Sequence, residues 1–248
     1  MVRFAQRTFH LGPGSTIVDL AAGTGKLTRA LLPTRARIIA IEPLSAMRRQ
    51  FRQAVPSVRV RPGTAERTGL PSASADLVTV GQAFHWFDAE KALREIHRIL
   101  RPGGGLMVVY NWRDERGGWR RAINRLAREY DYRTVPHHRD WGGWKPRLMR
   151  DPGLTRARVA RFRHAQRLTR RLVEDRYLSI SYLAALPPAR KAEFLRRLRQ
   201  VLANAPSSRG RRVLLMTYTT RVHWCLRREA PLRGAPRRRR RMGRTRPR

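Results

Sequence analysis

The sequence predicts an α/β fold, a doubly wound, mostly parallel sheet with helices on both faces. Short apolar runs alternate with segments of helical periodicity over residues 1–110, and a glycine-rich turn follows the first of these runs. Strands that alternate with helices favour a parallel sheet with right-handed connections. In such sheets ligands bind beyond the carboxyl ends of the strands, where the strand order reverses. A ligand site is therefore expected at that edge.

Five strands are predicted in the first half of the chain, because each is a short apolar run bounded by turn residues. They are Thr16–Leu20, Arg37–Ile41, Ser57–Arg61, Ala75–Val80 and Gly105–Tyr110. Apolar residues spaced three or four apart predict the intervening helices, which are Lys26–Leu32, Leu44–Val55 and Ala89–Leu100. Asp88 can cap the start of the last helix, and Pro102-Gly103 is expected to stop it.

The second half has a looser pattern and is predicted to be largely helical, with late strands. The expected helices are Trp119–Tyr130, Leu172–Leu186 and Pro188–Leu202, and the expected strands are Arg158–Leu168 and Arg212–Arg221. Thr134–Gly153 mixes Pro, Gly and Trp irregularly and is expected to be a loop or cap. Residues 1–230 are interpreted as one domain, with a ligand-binding core at 1–110 and a cap over the acceptor at 111–230. Residues 231–248 are rich in Arg and lack acids, so a disordered tail is expected.

The charge of the chain is strongly positive and uneven. Its formal net charge is +38; residues 1–110 carry 16 basic and 7 acidic residues, whereas residues 111–248 carry 39 and 10. Such a field attracts nucleic acids and other polyanions through the Arg-rich regions. The alternative is a GC-rich coding sequence, which places arginine on any solvated face.

The single cysteine, Cys225, excludes an intramolecular disulfide, which suits a reducing compartment. No apolar run is long enough for a transmembrane helix, and Met1–Gly14 lacks the apolar core of a secretory signal. These observations predict a cytoplasmic protein.

A glycine-rich loop, Asp19–Gly25, lies between the first predicted strand and the first helix. Small residues there let the backbone turn sharply and approach a ligand closely. Glu42 ends the next strand, 17 residues after Gly25. An acid at this position is placed to accept both hydroxyls of a ribose. The alternative for Glu42 is a solvated carboxylate that caps the following helix.

Five segments in order resemble successive motifs of class I S-adenosylmethionine (SAM)-dependent methyltransferases. They are Ile17–Leu32, Ile38–Pro43, Gly63–Leu70, Ala75–Asp88 and Arg98–Leu106. The chain is most similar to the type 11 methyltransferase domain. Within it, the Ala-Phe-His-Trp-Phe segment resembles a branch that includes trans-aconitate-methyltransferase-like proteins.

The resemblance implies SAM as the cofactor and gives each motif a role. Asp19 and the loop with Ala21, Gly23, Thr24 and Gly25 would hold the methionine end. Glu42 would bind the ribose. The Ala65 backbone would meet the adenine, and Gln82 and Ala83 would border the sulfonium.

The chain also departs from the family pattern. Thr64 replaces the Asp that contacts the adenine amine in many relatives, and Glu66 is the candidate to make that contact instead. Ala21 replaces the first glycine of the commoner loop, which Ala tolerates if its φ stays negative. Relatives carry one or two helices before the first strand that close over the cofactor. The segment before Thr16 is short for that purpose, so either a more open site or a start upstream of Met1 is expected.

His85 is the candidate catalytic base near the expected methyl group. The alternative, favoured by its aromatic neighbours, is a packed histidine that anchors a corner formed by Phe84, Trp86 and Phe87. Trp86 is likewise expected in the core. Transfer of a methyl group to a carboxylate needs no base, whereas a hydroxyl must lose a proton.

The resemblance implies a small-molecule acceptor, a carboxylate or a hydroxyl. Methylation of a nucleobase is disfavoured, because Gly81–Phe84 lacks the Asn or Asp of enzymes that methylate base amines. The alternative function is a polyanion- or nucleic-acid-binding protein on a weakly active or inactive methyltransferase scaffold. No metal is expected, since adjacent His137 and His138 point in different directions and no Cys joins them and Asp140.

Overall fold

The computed structural model describes residues 1–114, 117–130 and 143–228. Within them seven strands form one sheet in the order β3-β2-β1-β4-β5-β7-β6. Strands β1 to β5 are parallel, and β7 is antiparallel to both of its neighbours. This topology confirms the predicted fold class. The strands are β1 Thr16–Leu20, β2 Arg37–Ile41, β3 Val60–Arg61, β4 Ala75–Gly81, β5 Leu100–Arg113, β6 Arg158–Leu168 and β7 Leu214–Leu226.

Helices cover both faces of the sheet and each face has its own apolar core. The first face carries α1 Val2–Thr8, α2 Lys26–Leu31 and α3 Ser45–Ala54. The second carries α4 Ala89–Ile99 and α6 Trp144–Arg150. The short helix α6 lies where the sequence suggested a loop or cap, so the loop alternative was wrong for residues 144–150. Residues 134–142 of that segment lie outside the described residues, as does the predicted tail.

Helix α4 shows why the local pattern predicted its structure well. Ala92, Leu93 and Ile96 follow helical spacing and are buried against the sheet. The Asp88 side chain accepts a hydrogen bond from the backbone N–H of Lys91, 3.2 Å away, and caps the first turn as predicted. The helix ends at Ile99, before the expected Pro-Gly stop.

Strand β5 is longer than predicted, because it begins at Leu100 and runs through Pro102-Gly103. Its register against β4 shifts between Ala75 and Leu77, so the extra residues form a bulge. A side chain at Gly104 would meet the carbonyl oxygens of Arg101 and Ala75. Glycine therefore makes this irregular start of the strand possible.

A third core forms where α5 Gly118–Glu129, α7 Arg170–Leu178, α8 Ser181–Ala184 and α9 Pro188–Asn204 pack against parts of β6 and β7. Inside it, the Tyr177 hydroxyl donates to the Asn124 carboxamide oxygen over 2.7 Å. The sequence predicted one helix over 172–186, but two helices form with a break at Ser179 and Ile180. No described helix has the length and apolarity to cross a bilayer.

Helix α1 lies far from the carboxyl edge of the sheet. Phe4 packs against Phe162 and Trp224, and a side chain at Gly105, near the start of β5, would collide with Phe9. The segment before β1 therefore fills a groove near the amino ends of the strands, and it does not cover the carboxyl edge.

Candidate functional site

The strand order reverses between β1 and β4, and the predicted site residues follow the carboxyl ends of four strands. This is the crevice where doubly wound sheets bind ligands. The structure brings to this edge the loop after β1 (Ala21, Gly23, Thr24, Gly25), Glu42 after β2, Thr64, Ala65 and Glu66 after β3, and Gln82, Ala83 and His85 after β4.

The loop after β1 is a tight turn with three residues at positive φ. Gly23 and Gly25 have φ of 56° and 80°, and Ala21 has φ of 50°. The condition for replacing glycine by Ala without strain, a negative φ, is therefore not met at Ala21. The next residue explains this, since the Ala22 N–H donates to the Ile41 carbonyl over 3.1 Å and ties the loop to β2. A left-handed Ala costs about 1–2 kcal/mol, so the surrounding structure holds a strained turn here.

Glu42 is buried, at 4% exposure, and its carboxylate faces the loop. Its Oε2 accepts the Gly23 N–H over 2.8 Å, and its Oε1 accepts the Leu44 N–H over 2.9 Å. The carboxylate thus joins the loop after β1 to the start of α3. Glu42 therefore lies at the position predicted for it and also caps the start of α3. Because it is buried, it is not the solvated capping carboxylate that the sequence left as an alternative.

Asp19 is fully buried beneath the loop and has no exposed surface. Its two oxygens accept the hydroxyls of Thr28, at 2.5 Å, and Thr79, at 2.8 Å. Burial raises the pKa of Asp19 to about 6, and the hydroxyl hydrogen bonds oppose this shift. In this arrangement Asp19 positions the loop by joining β1, α2 and β4. Its contact with the methionine end of a cofactor stays a prediction.

The loop after β3 carries the three residues expected at the adenine. Thr64 is exposed, and its hydroxyl accepts the Arg67 N–H over 3.2 Å. Ala65 is buried in the core at 3% exposure. The Glu66 carboxylate accepts the Asp88 N–H over 3.1 Å at the start of α4. Glu66 therefore lies at the start of α4, and its contact with an adenine stays a prediction.

Gln82 and Ala83 form the turn that leaves β4. Gln82 is exposed and has a φ of 59°, and its N–H donates to the Val109 carbonyl over 2.9 Å. Ala83 is 7% exposed. A positive φ immediately after a central strand turns the chain sharply at the carboxyl edge of the sheet.

His85 lies in a short 3-10 turn, Phe84–Trp86, and contacts Tyr110 on β5. Its Nδ1 is 3.0 Å from the Tyr110 hydroxyl, and its backbone N–H donates to the same oxygen over 3.3 Å. Burial raises the pKa of Tyr110 to about 12, so the phenol keeps its proton. The same hydroxyl thus holds both the ring and the backbone of His85 against β5. This geometry favours the anchoring role of His85 over the role of a base.

Trp86 is 52% exposed, so the expectation that it belongs to the core was wrong. Sequence reasoning also missed Thr28, Thr79 and Tyr110, which support the site from below. A signal existed for Thr79, because a lone hydroxyl in a buried apolar strand needs a partner. The pairing of Tyr110 with His85 spans 25 residues and left no local pattern.

The crevice is distinct from an open cavity of about 860 Å³ at the outer edge of β3. Arg52, Arg59, Arg61 and Thr68 help to line that cavity, and no residue of the glycine-rich loop does. Among the described residues no cluster of three His, Cys, Asp or Glu side chains is arranged to hold a metal. His137, His138 and Asp140 lie outside the described residues.

Residues 18–108 match the family described as the methyltransferase domain. An uncharacterized methyltransferase of Mycobacterium tuberculosis is 34% identical over 204 residues, which cover 82% of this chain and 80% of the relative. The chain belongs to the methyltransferase domain family. The match extends well beyond the five motifs, since it includes most of the helical second half.

Solved structures place the methyltransferase in the class I fold. A protein of Anaeromyxobacter dehalogenans assigned as a type II methyltransferase aligns with a TM-score of 0.67 at 23% identity, over 90% of this chain and 95% of that one. A Haemonchus contortus phosphoethanolamine N-methyltransferase, solved with phosphomonomethylethanolamine and S-adenosylhomocysteine, aligns with a TM-score of 0.50 at 12% identity, over 92% and 52%. At these identities the likeness concerns the fold alone.

Proposed function

We propose that this methyltransferase transfers a methyl group from SAM to a small acceptor, a carboxylate or a hydroxyl. The observation that carries the proposal is the hydrogen bond from the Gly23 N–H to the buried carboxylate of Glu42. It joins Glu42, the candidate acid for a ribose, to the glycine-rich loop, at the edge where such sheets hold nucleotides. The fold relatives include one solved with S-adenosylhomocysteine.

Glu42 keeps enough hydrogen-bonding capacity for a ribose. A carboxylate offers about four lone-pair sites. The backbone N–H groups of Gly23 and Leu44 occupy two of them, one on each oxygen. Each oxygen can therefore accept one further hydroxyl, which matches the two neighbouring hydroxyls of a ribose.

The loop also fits a cofactor that approaches its backbone closely. No atom lies within 4 Å of the place where a side chain on Gly23 would begin, so the space above this residue is open. Gly25, by contrast, packs against Phe51 and Val55 below the loop. The two glycines thus have different tasks: Gly25 seats the loop on the core, and Gly23 leaves room for the ligand.

When bound, SAM supplies a methyl group on a sulfonium, which is a good neutral leaving group. The protein's contribution is then alignment and the exclusion of water. Gln82 and Ala83 border the crevice after β4, and the His85 ring contacts the Tyr110 hydroxyl through Nδ1. A carboxylate acceptor requires no proton transfer, which agrees with a histidine whose Nδ1 is already engaged.

The proposal is tested by incubating the protein with SAM labelled in its methyl group and a mixture of small metabolites. We expect label in one or a few low-molecular-weight products, detected by mass spectrometry. The Gly23→Val variant is the matched control and should give none. Label found only in macromolecules, or its absence while SAM binds, would contradict a small-molecule acceptor.

The second candidate function, binding of a polyanion on this scaffold, is favoured by the net charge of +38. Such binding should depend on salt and not on sequence, because it comes from counterion release. A truncation after Ala230 should flatten the slope of log K against log salt concentration. An unchanged slope would place any polyanion contact within residues 1–230.

A further inference from the structure

Two cations contact one tryptophan on the sheet face that α6 covers, and a third cation lies beside one of them on the neighbouring strand. Arg161 and Arg221 are direct partners across β6 and β7. The Arg221 guanidinium lies 5.3 Å from the centre of the Trp112 ring, and the Lys145 ammonium lies 5.9 Å from it. Trp112 is 39% exposed. These four residues are called the cationic patch.

The charges of the cationic patch are not balanced by acids. Among the residues that the structure describes, none of its three cations forms an ion pair with Asp or Glu. Like charges directly opposite each other on neighbouring strands are destabilising. Burial, with Lys145, Arg221 and Arg161 nearby, lowers the pKa of His223 to about 4, so this neighbour stays neutral. The arrangement costs stability that a bound anion would restore.

A buried donor at the same place has no partner. Trp144, the first residue of α6, is 3% exposed, and its indole N–H makes no hydrogen bond within the described part of the chain. An unsatisfied buried donor costs about 1–3 kcal/mol. The Lys145 ammonium lies 5.8 Å from the centre of the Trp144 ring, and the His223 ring lies 5.3 Å from it. The unmet N–H and the unpaired cations therefore belong to one region.

Ring contacts connect this region to the crevice. Tyr110 stacks on Trp144, with centroids 5.4 Å apart, and its hydroxyl contacts His85. Trp112 follows Tyr110 on the same face of β5, two residues further along. In the turn after β4, the Gln82 side-chain amide donates to the Asn111 carbonyl over 3.4 Å. The cationic patch is thus continuous with the turn after β4, where the methyl group is expected.

We propose that the cationic patch binds an anionic group of the methyl acceptor, a carboxylate or a phosphate, while another part of the acceptor reaches the turn at Gln82 and Ala83. This inference rests on the proposed function, since it names the acceptor class for the same crevice. Arg221 and Arg161 offer planar forks of N–H donors that suit carboxylate and phosphate oxygens, and Lys145 adds a point charge. The exposed part of Trp112 supplies an apolar surface for the acceptor skeleton.

The chain provides a matched control on the opposite face of the same hairpin. The Arg158 guanidinium lies 5.3 Å from the centre of the Trp224 ring, at the same distance as Arg221 from Trp112. Arg158 and Arg161 are three positions apart on β6, so their side chains leave the sheet on opposite faces. Arg158→Gln therefore removes one positive charge and one contact between a guanidinium and a tryptophan ring, as Arg221→Gln does, but on the face away from the crevice.

The experiment is a calorimetric titration of the full chain, with S-adenosylhomocysteine present and at about 0.15 M salt to screen nonspecific attraction. The probes are succinate with its neutral counterpart succinamide, and glycerol phosphate with glycerol. We expect one anion to bind and its neutral counterpart to bind at least about tenfold more weakly. Arg221→Gln and Lys145→Gln should each lower the affinity for the anion by about tenfold or more. Arg158→Gln should leave that affinity unchanged. The preferred probe distinguishes a carboxylate from a phosphate.

Two outcomes would overturn the inference: neither anion binds the wild-type protein, or Arg158→Gln weakens binding as much as Arg221→Gln. The second outcome would mean that only the general positive field acts. A separate titration of S-adenosylhomocysteine alone tests the proposed function, and its affinity should be equal in all four proteins. Failure of that titration is therefore distinguishable from failure at the cationic patch.

Discussion

The backbone N–H of Gly23 donates to the Glu42 carboxylate over 2.8 Å, although the two residues lie on loops after different strands. This bond makes the ribose-binding candidate and the glycine-rich loop one unit. Asp19 supports the same unit from below through the hydroxyls of Thr28 and Thr79. The site is thus organised before any ligand binds, which lowers the cost of binding.

The two loop glycines should respond differently to alanine. A Cβ on Gly25 would lie 2.7 Å from Cγ2 of Val55 and 2.9 Å from Cδ2 of Phe51, both in the core. Gly25→Ala should therefore destabilise the fold by about 2 kcal/mol or more, from strain at positive φ and overpacking. Gly23→Ala meets no atom and should cost only the strain, about 1–2 kcal/mol. Denaturant unfolding measures the loss in free energy of unfolding for both variants. Equal losses would contradict the conclusion that Gly25 packs against the core and Gly23 leaves room for the ligand.

The buried carboxyl of Asp19 should make stability depend on pH. Its folded pKa of about 6 lies above the ordinary value of 3.8, so the folded state binds the proton more tightly than the unfolded chain does. This contribution is fully present below about pH 4 and is lost as the pH rises through 6, by about 3 kcal/mol in total. We expect the free energy of unfolding of the wild type to fall by that amount relative to Asp19→Asn.

The control for this pH dependence is Asp88→Asn. The Lys91 N–H lowers the pKa of Asp88 below its ordinary value of 3.8, so its contribution has the opposite sign and is lost only as the pH falls below about 4. The difference between wild type and Asp88→Asn should therefore stay flat between about pH 4 and pH 7. Unfolding titrations of the three proteins between about pH 4 and pH 7 give the comparison. A flat difference between wild type and Asp19→Asn would show that Asp19 titrates normally.

His85 and Tyr110 should behave as a structural pair. Tyr110→Phe leaves the His85 N–H and Nδ1 without this partner, and His85→Asn removes the ring, so each should lower stability by about 1–3 kcal/mol. Turnover, once an acceptor is identified, should change little. Single-turnover methyl transfer and thermal unfolding on the same variants provide the readouts. A stable His85→Asn protein whose turnover falls by about 10²–10⁴-fold would assign a base instead.

The local pattern of the sequence was sufficient for most of the fold. The bounds of β1, β2 and β6 were predicted without error. For β1 and β2 the reason is that each is an apolar run with turn residues near both ends. The extension of β5 to Arg113 was not predictable, since it depends on pairing with β7, more than 100 residues away. The φ of Ala21 also escaped prediction, because the hydrogen bond from Ala22 to Ile41 imposes it.

The candidate site was predicted in part. The order of motifs indicated the loop and Glu42, and the structure places them together, but their roles in binding stay predictions. The supporting side chains, Thr28, Thr79 and Tyr110, depend on contacts between elements and left little trace in the sequence. The cationic patch was not predicted for another reason. The chain has 55 basic residues, so the sequence does not indicate which of them lie close together in the fold.

The most direct test of the account is a calorimetric titration of SAM into the wild type, Glu42→Gln and Glu90→Gln. Glu90 is exposed on α4 and pairs with Arg94, so its variant controls for the loss of one negative charge. We predict that the wild type and Glu90→Gln bind SAM equally. Glu42→Gln should lose about 1.5–3 kcal/mol, or about tenfold to a hundredfold in affinity, through the charge-assisted bonds to the ribose. Unchanged affinity in Glu42→Gln, or no binding by the wild type, would contradict the account.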